Sequence, residues 1–280
     1  MDETMRADRP ATAAGQQYHI GVKPGELPRY VLLPGDPDRV PKIGELWEDY
    51  APVAAHREFR SGAGRYRGAD IGVMSTGIGA PSTAIAVEEL ASIGCDTFIR
   101  VGSTGVIQAG IECGDLIINT GAVRFDGTTP YYAPPEYPAL AHHEVVIALI
   151  EACERLGYRY HTGIGASTSS FYTGQARPGY GGFRQGWMDS LIPDLQQARI
   201  LNFEMEAAAV FTLASLFGLR AGCVCTVFAN RVTNEFKVTG EDRAIRAASE
   251  AVRILSGWDR LKQGKDKPRF FAGLAEEESK

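Results

Sequence analysis

Short apolar runs that lack a polar face, each separated from the next by a helical pattern, constrain this chain more than any other feature. Residues 30–33, 71–74, 97–101, 115–120, 163–167, 198–203 and 221–228 read as such strands. Helical patterns at 38–46, 143–156, 206–217 and 241–254, and a helix capped by Ser82 and running to about Ile93, alternate with them. A strand that is apolar on both faces must be covered on both faces, so the pattern predicts an α/β fold with a mostly parallel or mixed sheet between helical layers. The 280 residues, 44% of them hydrophobic, suffice for one large core. A single domain is expected over 18–260, between a flexible N-terminal tail (1–17) and a C-terminal tail (261–280), both polar or charged and without periodicity.

Charge and cysteine content remove several functional classes. A net charge of −5 gives no general basic field, which argues against a nucleic acid partner; any bound anion must be gathered locally. Cys95, Cys113, Cys153, Cys223 and Cys225 are scattered, odd in number and contain no Cys-x-x-Cys, as expected of reduced thiols in a cytoplasmic protein. Cys223 and Cys225 alternate within an apolar run and would share one face of a strand, a core-packing arrangement, so no zinc is assigned. No stretch approaches the roughly 20 apolar residues of a membrane span, and the first seventeen residues lack a signal-peptide core. No membrane partner is expected.

The chemistry-bearing residues lie where strands hand over to helices, the edge at which open α/β sheets bind ligands. Asn202-Phe203-Glu204-Met205-Glu206 sets two carboxylates around a methionine just before an apolar helix. Acids there can simply complement the helix N-terminus. An ionised Glu206, with acceptors and no donor, also suits the two hydroxyls of a ribose diol. Gly35, in Pro34-Gly35-Asp36-Pro37, and Arg39 one turn on can offer a backbone N–H and a guanidinium to one anion. Arg100, near the end of an apolar strand and followed by Ser103 and Thr104, calls for a bound anion or an internal carboxylate. Gly77 and Gly79 make half of a dinucleotide fingerprint, but Ser82 stands where the third glycine belongs; tight turns are the better reading. In Phe171-Tyr172-Thr173-Gly174-Gln175-Ala176-Arg177, Gln175 and Arg177 project to one side and together match the O2, N3–H and O4 edge of uracil, or else form a solvated loop.

Four of these segments carry a resemblance. With His56-Arg57-Glu58-Phe59, Phe98-Ile99-Arg100-Val101-Gly102-Ser103-Thr104-Gly105, Phe171 to Arg177 and Asn202 to Glu206 in this order, the chain resembles the nucleoside phosphorylase family in its bacterial uridine phosphorylase type, over about 18–255. The resemblance implies a three-layer α/β/α fold around a central mixed, partly barrel-like sheet, and a hexamer assembled as a trimer of dimers with shared active sites. It implies phosphate bound by Gly35, Arg39, Arg100 and Ser103, with Arg57 from the neighbouring subunit. Ribose would lie against Glu204, Met205 and Glu206, with the neighbour's counterpart of His19 at the 5′-hydroxyl. The base would meet Phe171, Gln175, Arg177, Phe228 and Ala229. A potassium ion would sit at the dimer interface by Glu58, Ile78 and Ser82; no organic cofactor is implied, and inorganic phosphate is the co-substrate.

That chemistry is reversible phosphorolysis of uridine, in which phosphate attacks C1′ as positive charge grows on ribose and negative charge on the departing uracil. Arg100, Arg177, Gln175 and Glu206 would carry it, and no covalent protein nucleophile is needed. Three departures stand out: Ser103 replaces the usual threonine, Phe228-Ala229 replaces a branched aliphatic pair beside uracil C5, and 233–239 forms an unusual flap. Ala229 would leave room for a 5-methyl group, admitting thymidine or 5-methyluridine. Purine-cleaving relatives carry a Ser-Asp pair where this chain has Asn230-Arg231, so purine or broad-specificity cleavage is the weaker enzyme alternative; a silent nucleoside sensor is the other. His142 and His143 lack helical metal spacing.

Overall fold

The computed structural model describes residues 6–276. In chain order the elements are β1 (Tyr30–Pro34), α1 (Arg39–Gly44), β2 (Glu48–His56), β3 (Phe59–Tyr66), β4 (Ala69–Met74), α2 (Ala80–Ser92), β5 (Thr97–Val106), β6 (Leu116–Phe125), β7 (Ala139–Leu140), α3 (His143–Leu156), β8 (Tyr160–Thr168), α4 (Trp187–Gln197), β9 (Asn202–Glu204), α5 (Ala207–Leu216), β10 (Arg220–Asn230), β11 (Glu235–Phe236), α6 (Glu241–Gly264) and α7 (Ala272–Glu276).

All strands join one mixed sheet. Strands β4, β1, β5 and β10 are parallel neighbours, so the loops after them emerge at one edge. The sheet also closes on itself: β5 pairs β10, β10 pairs β6, β6 pairs β8, β8 pairs β9 and β9 returns to β5. This ring is the barrel-like part that the resemblance implied.

Alternation along the buried strands feeds two cores. Leu32, Ile99, Val101 and Val224 pack with residues of α1, α3 and α6, whereas Val31, Leu33, Phe98, Cys223 and Cys225 pack with α2 and α5. The result is the expected helix–sheet–helix layering. Arg100 lies on the second face, in register with Cys223 across β5 and β10.

Two local expectations require correction, and one hairpin went unannounced. The strand drawn over 198–203 is confined to Asn202–Glu204, because α4 ends with Ala198 as its C-cap and Arg199 turns the chain at φ 61°. Helix α2 begins at Ala80 with Gly79 as N-cap; Pro81 suits the first turn, and the Ser82 hydroxyl, inside the helix, donates to the Gly79 carbonyl at 3.3 Å. The antiparallel hairpin of β2 and β3 had no apolar run to announce it, since β2 is an edge strand with mostly exposed residues.

The chain ends are engaged where they are described. The Gln17 amide donates to the Val22 carbonyl at 2.9 Å and the Tyr18 amide to the Pro10 carbonyl at 3.1 Å. Helix α6 continues beyond 260 to Gly264, and Phe270 stacks on Trp258 with ring centroids 4.0 Å apart. Among the described residues no helix is long and apolar enough to cross a membrane.

Candidate active site

The loops leaving β1, β4, β5 and β10 and the junction of β9 with α5 enclose a cavity of about 440 Å³. Gly35, Arg39, Arg100, Ser103, Phe171, Gln175, Arg177, Glu204, Met205, Glu206, Phe228 and Ala229 all line it. Residues from segments far apart in sequence therefore meet in one space.

Its centre is a buried ion cluster. Arg100 donates from Nε to Glu204 Oε2 at 2.7 Å and from Nη2 to Glu206 Oε2 at 2.6 Å, with side chains 6%, 0% and 5% exposed. The carboxylate reading of Arg100 holds, and the same side chain also borders the cavity. Burial lowers the Arg100 pKa, but the charges of Glu206 and Glu204 outweigh this and hold it well above the ordinary value. Gly102 makes the placement feasible, since a Cβ there would lie 2.8 Å from Arg100 Nη2.

The two glutamates differ in what they have left to offer. Glu204 Oε2 also accepts the backbone N–H groups of Glu206 and Ala207, each at 2.8 Å, and Ser167 donates its hydroxyl to Oε1. Its carboxylate fastens the start of α5 to Arg100. Glu206 accepts from Arg100 at Oε2 and from the Gly79 amide at Oε1, with a further backbone contact from Met205. A carboxylate has about four lone-pair sites, so Glu206 retains acceptor capacity for a hydroxyl. Burial, with the negative charge of Glu204, raises the Glu206 pKa against the opposing charge of Arg100.

Arg39 borders the same space with Nε donating to Glu241 at 2.8 Å and Nη1 to the Val101 carbonyl at 3.2 Å, which leaves guanidinium N–H groups for a ligand. Arg177, which also lines the cavity, lies over the Phe171 ring at 4.1 Å and donates to Gln175 Oε1. Gln175 Nε2 donates to Thr168 at 3.1 Å. Burial and the nearby charge of Arg231 lower the Arg177 pKa to about 10. Arg231, unassigned from the sequence, donates to the Gln175 carbonyl at 2.8 Å; its place directly after a strand ending at this edge was the available signal. Thr104 and Phe236 also line the cavity.

Gly105 and Ala229 form a shallow wall, with a Cβ at Gly105 falling 3.4 Å from the Ala229 methyl and 3.6 Å from Arg177 Nη2. Next to it, Asn230 Nδ2 donates to the Ile111 carbonyl at 2.8 Å and Oδ1 accepts from Val232 and Thr233 at 2.9 and 3.0 Å. Its amide shapes a turn.

His19 and Arg57 do not line this chain's cavity. They share an outer surface instead: the Tyr18 ring meets His19 edge-on at 4.9 Å and lies 5.7 Å from the Arg57 guanidinium. Glu58 and Ser82 flank Gly77, where a Cβ would approach Glu58 Cγ at 2.9 Å and Ser82 Oγ at 3.2 Å; Ile78 beside it is 79% exposed. No cluster of His, Cys, Asp and Glu suited to a metal occurs among the described residues.

The mixed sheet with its closed ring thus sets Arg39, Arg100, Glu206, Gln175 and Arg177 around one cavity. Residues 29–256 match the phosphorylase superfamily, and the chain belongs to it. It is 59% identical to the uridine phosphorylase of Thermococcus kodakarensis over 98% of this chain and 99% of that protein. The uridine phosphorylase of Escherichia coli is 41% identical over 85% of this chain and 97% of its own length. A guanosine phosphorylase of Halorubrum lacusprofundi is 38% identical over 86% and 99%.

Proposed function

We propose that this chain catalyses the reversible phosphorolysis of uridine to uracil and ribose 1-phosphate. The observation that carries the reading is one cavity lined by Arg39 and Arg100, by Glu206, and by Gln175 and Arg177. These three groups match phosphate, ribose and base.

Phosphate is held by Gly35, Arg39, Arg100 and Ser103, and by Arg57 of an adjoining copy. Glu206 accepts a ribose hydroxyl, Met205 packs against the sugar, and Glu204 keeps Arg100 in position. Uracil stacks near Phe171, with Gln175 and Arg177 at its polar edge and Phe228 and Ala229 beside C5. As the glycosidic bond breaks, charge separates: the base becomes anionic beside Arg177, and the sugar becomes cationic between phosphate and Glu206. Fixed groups aimed at both charges lower the barrier. Oriented phosphate then bonds to C1′ from the face opposite the departing base, with inversion. The substrate range takes in deoxyuridine, and the space at Ala229 admits the 5-methyl group of thymidine or 5-methyluridine.

The outward position of His19 and Arg57 supports shared sites in a dimer and a hexamer built from three dimers. Glu58, the Ile78 carbonyl and Ser82 offer hard oxygen donors suited to a potassium ion at the dimer contact. Pyrimidine nucleoside salvage in the cytoplasm is the corresponding setting.

Release of free base from uridine, thymidine, cytidine and inosine, with and without phosphate, tests the reading. Uridine cleavage should require phosphate, and cytidine should be refused. Base release without phosphate would make the protein a hydrolase, inosine turnover equal to that of uridine would make it a purine enzyme, and nucleoside binding without turnover would leave a sensor.

A further inference from the structure

Glu89 is a nearly buried acid on α2 that none of the chemistry above employs. Its partner is the segment carrying His19, seventy residues earlier. Glu89 Oε2 accepts the backbone N–H of Ile20 at 2.9 Å and that of His19 at 3.1 Å, and Oε1 lies 2.6 Å from His19 Nδ1. On the other side, His56 Nδ1 donates to the His19 carbonyl at 2.8 Å. Main chain and ring of His19 are both fixed, while its side chain stays 28% exposed.

The contact also selects a tautomer. An ionised carboxylate is only an acceptor, so Nδ1 must carry the hydrogen, and in the neutral ring Nε2 is left with a lone pair. A histidine whose second nitrogen is held by a carboxylate is fixed in orientation and tautomer, as in histidines that ligate metals.

We propose that Glu89 is a positioning residue for recognition of the nucleoside 5′-hydroxyl: it locks His19 so that Nε2 accepts that hydroxyl's proton in the neighbouring subunit's site. This rests on the proposed function and on the place at the 5′-hydroxyl that the family resemblance implies for His19. Tyr18, edge-on to His19 and in contact with Arg57, joins the ribose-reading and phosphate-reading groups into one preassembled unit on the donating subunit. Selection of a 5′-hydroxyl and supply of Arg57 to the phosphate of the neighbouring site are thereby tied to the same surface.

Glu89→Gln separates position from tautomer. The amide oxygen can still accept the backbone N–H groups of His19 and Ile20, but an NH2 now faces Nδ1, so Nδ1 must accept and Nε2 must carry the proton. In the full-length assembly, kcat and KM are measured for uridine and 5′-deoxyuridine in the wild type, Glu89→Gln, His19→Ala and the double variant, with thermal unfolding recorded for each. Expected is a roughly tenfold fall in the uridine to 5′-deoxyuridine preference for Glu89→Gln, carried by KM. Turnover of 5′-deoxyuridine should stay unchanged, and the double variant should be no worse than His19→Ala. If His19→Ala loses the preference while Glu89→Gln keeps it, or if Glu89→Gln harms both substrates equally, the role of Glu89 is overturned and that of His19 stands. If His19→Ala itself keeps the preference, the 5′-hydroxyl reading of His19 fails, and the role of Glu89 with it.

Discussion

Two ion clusters, one buried and one partly buried, sit at opposite edges of the same sheet and are balanced differently. At the carboxyl edge, Arg100 faces both Glu204 and Glu206. At the other edge, beside a cavity of about 560 Å³, Arg220 and Lys262 face Glu144 and Asp259. There Tyr30 also donates to Asp259 at 2.6 Å and the Phe270 amide to Glu144 at 2.8 Å. Burial works against ionisation of Asp259 and Glu144, yet hydrogen bonds from Arg220 and Tyr30 to the first, and from Lys262 and Phe270 to the second, hold both below the ordinary carboxylate range. For Glu206 burial prevails and its pKa rises. A matched cluster holds structure together, whereas the unmatched one keeps an excess negative charge where the proposed reaction develops positive charge.

Substitutions break this comparison in graded steps. Arg100→Ala should have the largest effect: phosphate loses its central donor and two buried carboxylates lose their cation. Phosphate kcat/KM should fall roughly a thousandfold, and denaturant unfolding should show a loss of about 3–5 kcal/mol. A defect confined to nucleoside saturation would contradict the assignment. Glu206→Gln should lower uridine kcat/KM about a hundredfold while stability is retained or improved, because a neutral amide removes a buried charge whose ionisation the fold disfavours. Asp259→Asn reverses the pattern, costing about 3 kcal/mol of stability with uridine kinetics within about twofold of wild type. Equal destabilisation by these last two variants would erase the distinction between the clusters.

The sequence exposes the first cluster better than the second. Glu204 and Glu206 stand beside each other in a strand-to-helix junction, and Arg100 interrupts an apolar run, so each is conspicuous locally. Glu144, Arg220 and Asp259 look like ordinary helix-face or strand-end charges, and only the fold brings them together. Buried strands were readable because they are apolar on both faces; β2 was not, being an exposed edge strand, and β9 is too short to carry a pattern. Pairing explains the remaining gaps. Glu89 stands next to Glu88 on a helix, and nothing nearby reveals that its partner is His19. The roles proposed for His19 and Arg57, in the site of a second subunit, leave no mark on the cavity of a single chain.

The pH dependence of stability gives the finest test of the two balances, because each cluster acts on a different side of the profile. Asp259 and Glu144 titrate below their unfolded values near about 4. Their contribution is complete above that range and disappears as pH falls through the lowered folded values. Glu206 has the opposite sign: with its folded pKa raised, its contribution is complete below the unfolded value and declines as pH rises through the folded one. Thermal midpoints should therefore fall by a few degrees on each side of a mildly acidic maximum. Asp259→Asn should flatten the acid side alone and Glu206→Gln the opposite side alone. Should either variant flatten both, the two clusters would be acting as one electrostatic unit, and the separation of a structural edge from a catalytic edge would be lost.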